Sequence, residues 1–305
     1  MEANEETQAA SPRAVMQAVG GVMIAAAAGA VLASSAKAQA GTPTDADVLN
    51  FALNLEYLEA EYYLQAAFGR SLSSGDSGGT TSATGARKVN FTNSANQQYA
   101  QEIAIDEENH VKFLRSALGG AAVARPTVDL SPAVWTAAAK AAGLIPQNDT
   151  TTMFDPYANE LFFLVGAFVF EDVGVTAYKG GARLIANKDF LSAAAGILAV
   201  EGYHAAEIRT LLYRNRTVTA LGATVEQIVA ALSNLRDSVD GSDDRDQGIT
   251  NDPVSGGQAN IVPTDKDAIA FSRTTSQVLR IVYLGGASNG GFFPQGLNGT
   301  IKTAG

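Results

Sequence analysis

The 305-residue sequence predicts an all-α fold: a four-helix bundle with one long crossover, plus a C-terminal helical extension. Three observations predict it. Both histidines of the chain, His110 and His204, stand three residues after a glutamate, in Asp106-Glu107-Glu108-Asn109-His110 and Glu201-Gly202-Tyr203-His204. Two other segments each carry a glutamate with a tyrosine seven residues on, Glu56 with Tyr63 and Glu171 with Tyr178. The order Glu…Tyr, Glu-x-x-His, Glu…Tyr, Glu-x-x-His is an internal repeat of a helical hairpin. The two hairpins differ in length: Glu107 stands 51 positions after Glu56 but Glu201 only 30 after Glu171. The excess falls in residues 71–98, a loop rich in Ser, Gly, Thr and Asn.

The spacing carries chemistry. Three residues on an α-helix turn about 300°, so each Glu and His project from one face, one turn apart. A carboxylate and an imidazole so placed can hold one metal ion, and two such pairs on facing helices can hold two. A single Glu-x-x-His arises easily by chance on an acidic helix. Two matches that use every histidine of the chain, each inside an amphipathic segment, do not. A helix-bundle dimetal centre takes one further glutamate from each of the other two helices. Glu56 and Glu171 are the candidates. Seven residues is close to two turns, which puts Tyr63 and Tyr178 on the faces of their glutamates.

Residues 1–40 read as an export leader. Arg13 precedes an Ala/Gly-rich apolar run from Val15 to Leu32, and Ala38-Gln39-Ala40 fits a signal-peptidase site. The mature chain is expected to start at Gly41, with no stable membrane span after cleavage and a periplasmic or secreted destination. The run is weakly hydrophobic and contains Gln17, which argues against a membrane anchor. Glu2, Glu5 and Glu6 are atypical of a leader, and Ser11-Pro12-Arg13 resembles a twin-arginine signal lacking its first arginine, so the route is Sec or a degenerate twin-arginine one.

Residues 41–215 should form the bundle. Helix one spans Asp45 to Phe68, capped by Thr44 or Asp45. Glu59 lies about 60° from Glu56 and rivals it as a ligand; Glu61, about 140° away, is expected to face solvent. The tyrosine spacing favours Glu56. Helix two spans Tyr99 to Ala117. Asp106 precedes His110 by four residues, but the equivalent of Asp106 in helix four is Val200, so only the three-residue spacing is common to both. Asp106 then reads either as an acceptor for a histidine ring N–H, with His204 as its partner, or as a solvated residue. Residues 119–155 are the crossover, with a short helix running from the Ser131-Pro132 cap to Ala142 and containing Trp135. Helix three spans Pro156 to Ile185. Its stretch from Leu161 to Val169 is almost wholly apolar, and Glu171 follows directly. A carboxylate there is costly unless it is paired or metal-bound. Helix four spans Asp189 to Arg214, after a short turn.

Residues 216–305 form the extension. A helix is expected from Thr224 to Val239 and another from Thr264 to Tyr283, packing on the bundle or on a second subunit of a homo-oligomer. Between them Asp240 to Asn260 reads as a solvated loop, whose acidic spacing does not fit an EF-hand.

At these residues the sequence resembles the ferritin-like superfamily. It is most similar to the desiccation-related ferritin-like proteins of plants and bacteria. The matching stretches are Asn54 to Glu59, Asp106 to His110, Phe170-Glu171-Asp172, Glu201 to His204, Ala270 to Leu279 and Gly290-Gly291-Phe292-Phe293-Pro294. The resemblance covers roughly residues 43 to 305. It implies one centre of two divalent ions, iron or manganese, held by Glu56, Glu107, His110, Glu171, Glu201 and His204, with Glu107 and Glu201 bridging. It also favours Glu56 over Glu59. Four carboxylates balance two divalent ions, and open positions admit dioxygen or peroxide. Tyr63 and Tyr178 are candidate redox or hydrogen-bonding groups, against the plainer reading as packing tyrosines.

Composition excludes other classes. A formal net charge of −10 without clustered Lys and Arg argues against a nucleic-acid partner. The absence of cysteine rules out disulfides, iron–sulfur clusters and Cys-zinc sites. Two functions fit: a dimetal protein that oxidises Fe(II) or consumes peroxide, and a non-enzymatic stress protein whose metals tie the bundle together.

Overall fold

A computed structural model describes residues 42–79, 82–251 and 257–305. The leader and its cleavage after Ala40 lie outside the described residues. Four long helices build the bundle: α1 (Asp45–Phe68), α2 (Ser94–Leu118), α4 (Glu160–Ala182) and α5 (Lys188–Arg214). Between α2 and α4 the crossover carries α3 (Pro132–Ala141), and the extension carries α6 (Val225–Asp240) and α7 (Thr275–Val282). The predicted all-α bundle with a long crossover is the fold observed.

Each bundle helix starts where a polar side chain takes up its free amides. Thr44 and Asp47 form a capping box at α1, and Gly69 ends that helix in the left-handed region at φ 72°. Asn93, Asn159 and Asn187 cap α2, α4 and α5. These caps correct two expected starts. Asn93 accepts from the amides of Ala95 and Asn96 and begins α2 at Ser94 rather than Tyr99. Asn159 begins α4 four residues later than Pro156. α1 packs along α2, and α4 along α5, as the two hairpins require.

α4 is apolar enough and long enough to cross a membrane, but 83% of its apolar window is buried inside this fold, so it is a core helix. Trp135 of α3 and Phe292 of the tail, with ring centroids 4.8 Å apart, meet Phe170 and Tyr62 in the core. Tyr62 stacks on Phe163 at 5.5 Å. Small paired strands add little: β1 (Ala83–Thr84) runs parallel to β2 (Val128–Asp129), and β3 (Thr219–Ala220) antiparallel to β4 (Ala223–Thr224).

Three expectations about exposure and extent fail. Glu61 is fully buried and ion-paired with Arg125 of the crossover, because α1 is covered on every side. The expected helix from Thr264 exists only from Thr275. Thr274 and Gln277 form a capping box there, and upstream Ala268 takes a positive φ of 58° in a turn held by Asp265. Lastly, the acidic segment after α6 is not simply solvated. Asp240 and Asp246 are buried at 5% and 6% exposure. Asp246 accepts from Arg236 and Arg273, Asp240 from Arg273, and Asp172 of α4 from Arg209 and Arg236. This chain of buried ion pairs joins the extension to the bundle.

Candidate metal centre

Glu56, Glu107, His110, Glu171, Glu201 and His204 come from four helices and meet in the bundle interior. The four glutamates are at most 1% exposed. Two overlapping groups form. In the first, one oxygen each of Glu56, Glu107 and Glu201 and a nitrogen of His110 lie within 4.8 Å of one another. In the second, Glu107, Glu171 and His204 do the same. Glu107 belongs to both. Its Oε2 is 3.3 Å from His110 Nδ1 and its Oε1 is 3.0 Å from His204 Nδ1. Glu56 Oε2 lies 3.2 Å and Glu201 Oε1 3.9 Å from His110 Nδ1, and Glu171 Oε2 lies 3.6 Å from His204 Nδ1. Glu107 thus spans the two imidazoles, as a bridging carboxylate must. Glu201, the other bridge implied by resemblance, sits with the His110 group.

The surrounding residues orient these side chains. Asp106 Oδ2 is 3.4 Å from His204 Nε2, which leaves Nδ1 facing the centre. Tyr63 donates a hydrogen bond to Glu171 Oε1, and Tyr178 donates one to Glu56 Oε1. Each tyrosine therefore reaches across to the glutamate of the other hairpin, not the one on its own helix. The second oxygen of each glutamate is left facing the imidazoles. Glu59, the rival of Glu56, is also buried, at 4% exposure, and stands outside both groups. The sequence signal for it was the Glu56-x-x-Glu59 spacing. Glu61 points away, toward Arg125 and the amide of Leu72.

The electrostatics are those of too many acids in one dry volume. Burial, opposed by His110, raises the Glu56 carboxyl to about 7. Burial likewise raises Glu171 to about 8. Glu59 and Glu201 are driven well above the usual carboxylate range by burial and by their acidic neighbours. Glu107 goes the other way: burial opposes its charge, but His110 and His204 outweigh that and hold it low. Burial disfavours the imidazolium at His110, yet Glu56 and Glu107 push it up to about 11. Asp106 and Glu107 do the same for His204, up to about 10.

Whether this set suits a cation shows in its unpaired atoms. Glu107 Oε1, Glu171 Oε2, both oxygens of Glu201 and His204 Nδ1 are buried without a hydrogen bond. Such groups are costly in a core. Glu107, Glu171 and His204 gather in one group and Glu201 joins Glu107 in the other, and carboxylates and imidazoles so gathered suit a divalent cation.

A helical bundle with a buried cluster of carboxylates and imidazoles from its four helices is an arrangement that could hold metal ions. The ferritin-like domain profile matches residues 44–214, and the chain belongs to that family. The chain is 33% identical over 248 residues to the desiccation-related protein PCC13-62 of Craterostigma plantagineum, covering 77% of this chain and 76% of that protein. It is 30% identical over 271 residues to the ferritin-like catalase Nec2 of Nesocodon mauritianus, covering 84% of each. No solved structure matches.

Proposed function

We propose that the chain is an exported dimetal carboxylate protein that consumes peroxide, with Fe(II) oxidation a second turnover of the same site. The observation that carries this is the pair of overlapping buried carboxylate–imidazole groups that share Glu107, with several of their side-chain atoms left without a hydrogen bond. Glu56, Glu107, His110, Glu171, Glu201 and His204 would hold two ions, iron or manganese. Bound there, the ions would exchange electrons with peroxide or dioxygen. The chain's own residues set the conditions. Four carboxylates offset two divalent charges. Tyr63 and Tyr178 each pin one oxygen of a ligand glutamate, and Asp106 fixes the ring of His204. Apolar residues of α4 keep bulk water out. The similarity to a protein named a catalase favours peroxide as the substrate. Export rests on the leader read in residues 1–40.

The similarity to a desiccation-related protein supports a second reading, in which bound metal chiefly stabilises the bundle. One experiment separates the two. Protein loaded with Mn(II) or Fe(II) is given hydrogen peroxide, and dioxygen release is followed with an electrode. Release that is lost in Glu171→Ala supports turnover. A chain that binds two ions, yet releases no dioxygen and oxidises no Fe(II), is the structural protein.

A further inference from the structure

The repeat that relates α1 to α4 and α2 to α5 breaks at a position facing the centre. Glu56 corresponds to Glu171, Tyr63 to Tyr178, Glu107 to Glu201 and His110 to His204. One turn after Glu56 stands Glu59, but one turn after Glu171 stands Gly174. Glycine is a poor residue inside a helix, and Gly174 lies in the middle of α4. Space explains it. A Cβ on Gly174 would overlap Glu201 Oε2, and it would lie 3.4 Å from Glu59 Oε1. Glu59 and Glu201 therefore share the volume that the missing side chain opens.

Glu59 gains no counter-charge from its other side. There it lines a recess of about 20 Å³ with Leu55, Leu58, Val173, Ile281 and Phe292, and no described residue lining the recess is a cation. Beside it, Glu201 has both oxygens buried and without a hydrogen bond. Two neighbouring buried carboxylates with an apolar wall behind them either stay protonated or meet a cation, and a cation can reach them only from the side of the centre.

We propose that Glu59 is a seventh metal ligand: it joins Glu56, Glu107, His110 and Glu201 at one ion position and has no counterpart at the Glu171–His204 position. This rests on the dimetal reading and refines it. The first position then gathers three carboxylates of its own and a share of Glu107. The second has Glu171 and a share of Glu107. An ion is held tightly at the first and exchangeably at the second.

The test is an anaerobic titration of the metal-free full chain with Co(II), followed by calorimetry and by the visible ligand-field absorbance. The wild-type chain should take up two ions in two steps. Glu59→Gln keeps the shape and removes the charge. It should weaken the tighter step by at least about tenfold, as losses around metal sites do, and change its absorbance while sparing the weaker step. Glu171→Gln should weaken the other step. Should Glu59→Gln fail to fold, judged by circular dichroism, Glu59→Asp takes its place, with a smaller loss in the same step. Wild-type binding in the folded variant, or equal loss in both steps, overturns the inference. A wild-type chain that does not bind two Co(II) ions overturns the dimetal reading itself.

Discussion

Arg273 is the residue whose replacement tests how the extension is fastened to the bundle. It is 1% exposed. Its Nε donates to Asp240 Oδ2 at 2.5 Å, its Nη2 to Asp246 Oδ2 at 2.9 Å and its Nη1 to Thr176 Oγ1 at 3.2 Å. Its backbone amide donates to the Thr176 carbonyl of α4, and its own carbonyl lies where a Cβ on Gly180 would sit. Arg273→Met keeps most of the side-chain length and removes the charge. Asp246 still has Arg236, but Asp240 loses its direct ion pair while remaining buried. Removing one partner of a buried pair costs about 3–5 kcal/mol. At about 2–4 °C per kcal/mol for a domain of this size, the midpoint should fall by about 6–20 °C. Thermal unfolding in the presence of a chelator measures this free of metal linkage. Arg245→Met is the control: its partner Asp243 is exposed, and such a pair contributes about 0–1 kcal/mol. The double variant Arg273→Met, Asp240→Leu should recover part of the loss, because no charge is then stranded. An Arg273→Met midpoint within 2 °C of wild type would refute the reasoning.

Further outcomes follow from the centre and its surroundings. Glu171→Ala and His110→Ala should each sharply lower the metal content of purified protein, measured by plasma mass spectrometry, while exposed Lys112→Ala leaves it unchanged. Metal affinity should rise with pH from about 6 to 9, because Glu56 near 7, Glu171 near 8, His204 near 10 and His110 near 11 hold protons that a cation must displace. These pKa values are raised in the folded state. The metal-free chain should therefore lose stability as pH climbs from about 5 through 8 and beyond, and bound metal should cancel that slope, which melting curves at several pH values would show. Tyr63→Phe removes a hydrogen bond to the buried carboxylate of Glu171, and Tyr178→Phe one to Glu56. Each should weaken metal binding by about 1.5–3 kcal/mol in calorimetry, and no change would make them packing tyrosines. Glu61→Ala removes the buried ion pair with Arg125 and should cost about 3–5 kcal/mol in denaturant unfolding without changing the ion count of the folded fraction.

What could be read from the sequence was what depends on spacing along one helix. Glu-x-x-His places both groups on one face wherever the helix sits, so Glu107, His110, Glu201 and His204 stand out before any packing is known; Glu56 and Glu171 needed the tyrosine spacing and the resemblance as well. Caps are local too: of the two candidates for α1 it is Thr44 that caps the helix, and Thr224 caps α6 where that helix was expected to begin. Glu61 departs from the sequence expectation because an angle of about 140° from Glu56 does not by itself mean water. That inference needs a helix with one exposed face, and α1 has none: the crossover brings Arg125 against it, and the tail brings Asn298 to Asn54. Residues 264–274 misled because apolar spacing continued upstream of the true start. The capping box at Thr274 was in the sequence, but what holds Arg273 extended is Thr176, 97 residues away. The ion-pair chain through Asp172, Arg209, Arg236, Asp246 and Arg273 was invisible for the same reason.

The tyrosines join the two kinds of information. Seven residues from Glu56 is the right spacing for Tyr63 to stand on the same face, and it does face the centre. Its hydroxyl, however, passes beyond Glu56 and meets Glu171 of α4, as Tyr178 of α4 meets Glu56 of α1. The exchange follows from rise along the helix: two turns carry the ring about 10 Å from its own glutamate, too far for a bond there and near enough for one across the bundle. Each hairpin thus positions a buried glutamate of the other. α1 and α4 cannot part without breaking both bonds and freeing Glu56 and Glu171 together, so the two halves of the repeat form one centre only as a pair. A chain holding only α1 and α2 would lack the hydroxyl that holds Glu56 as well as Glu171, Glu201 and His204.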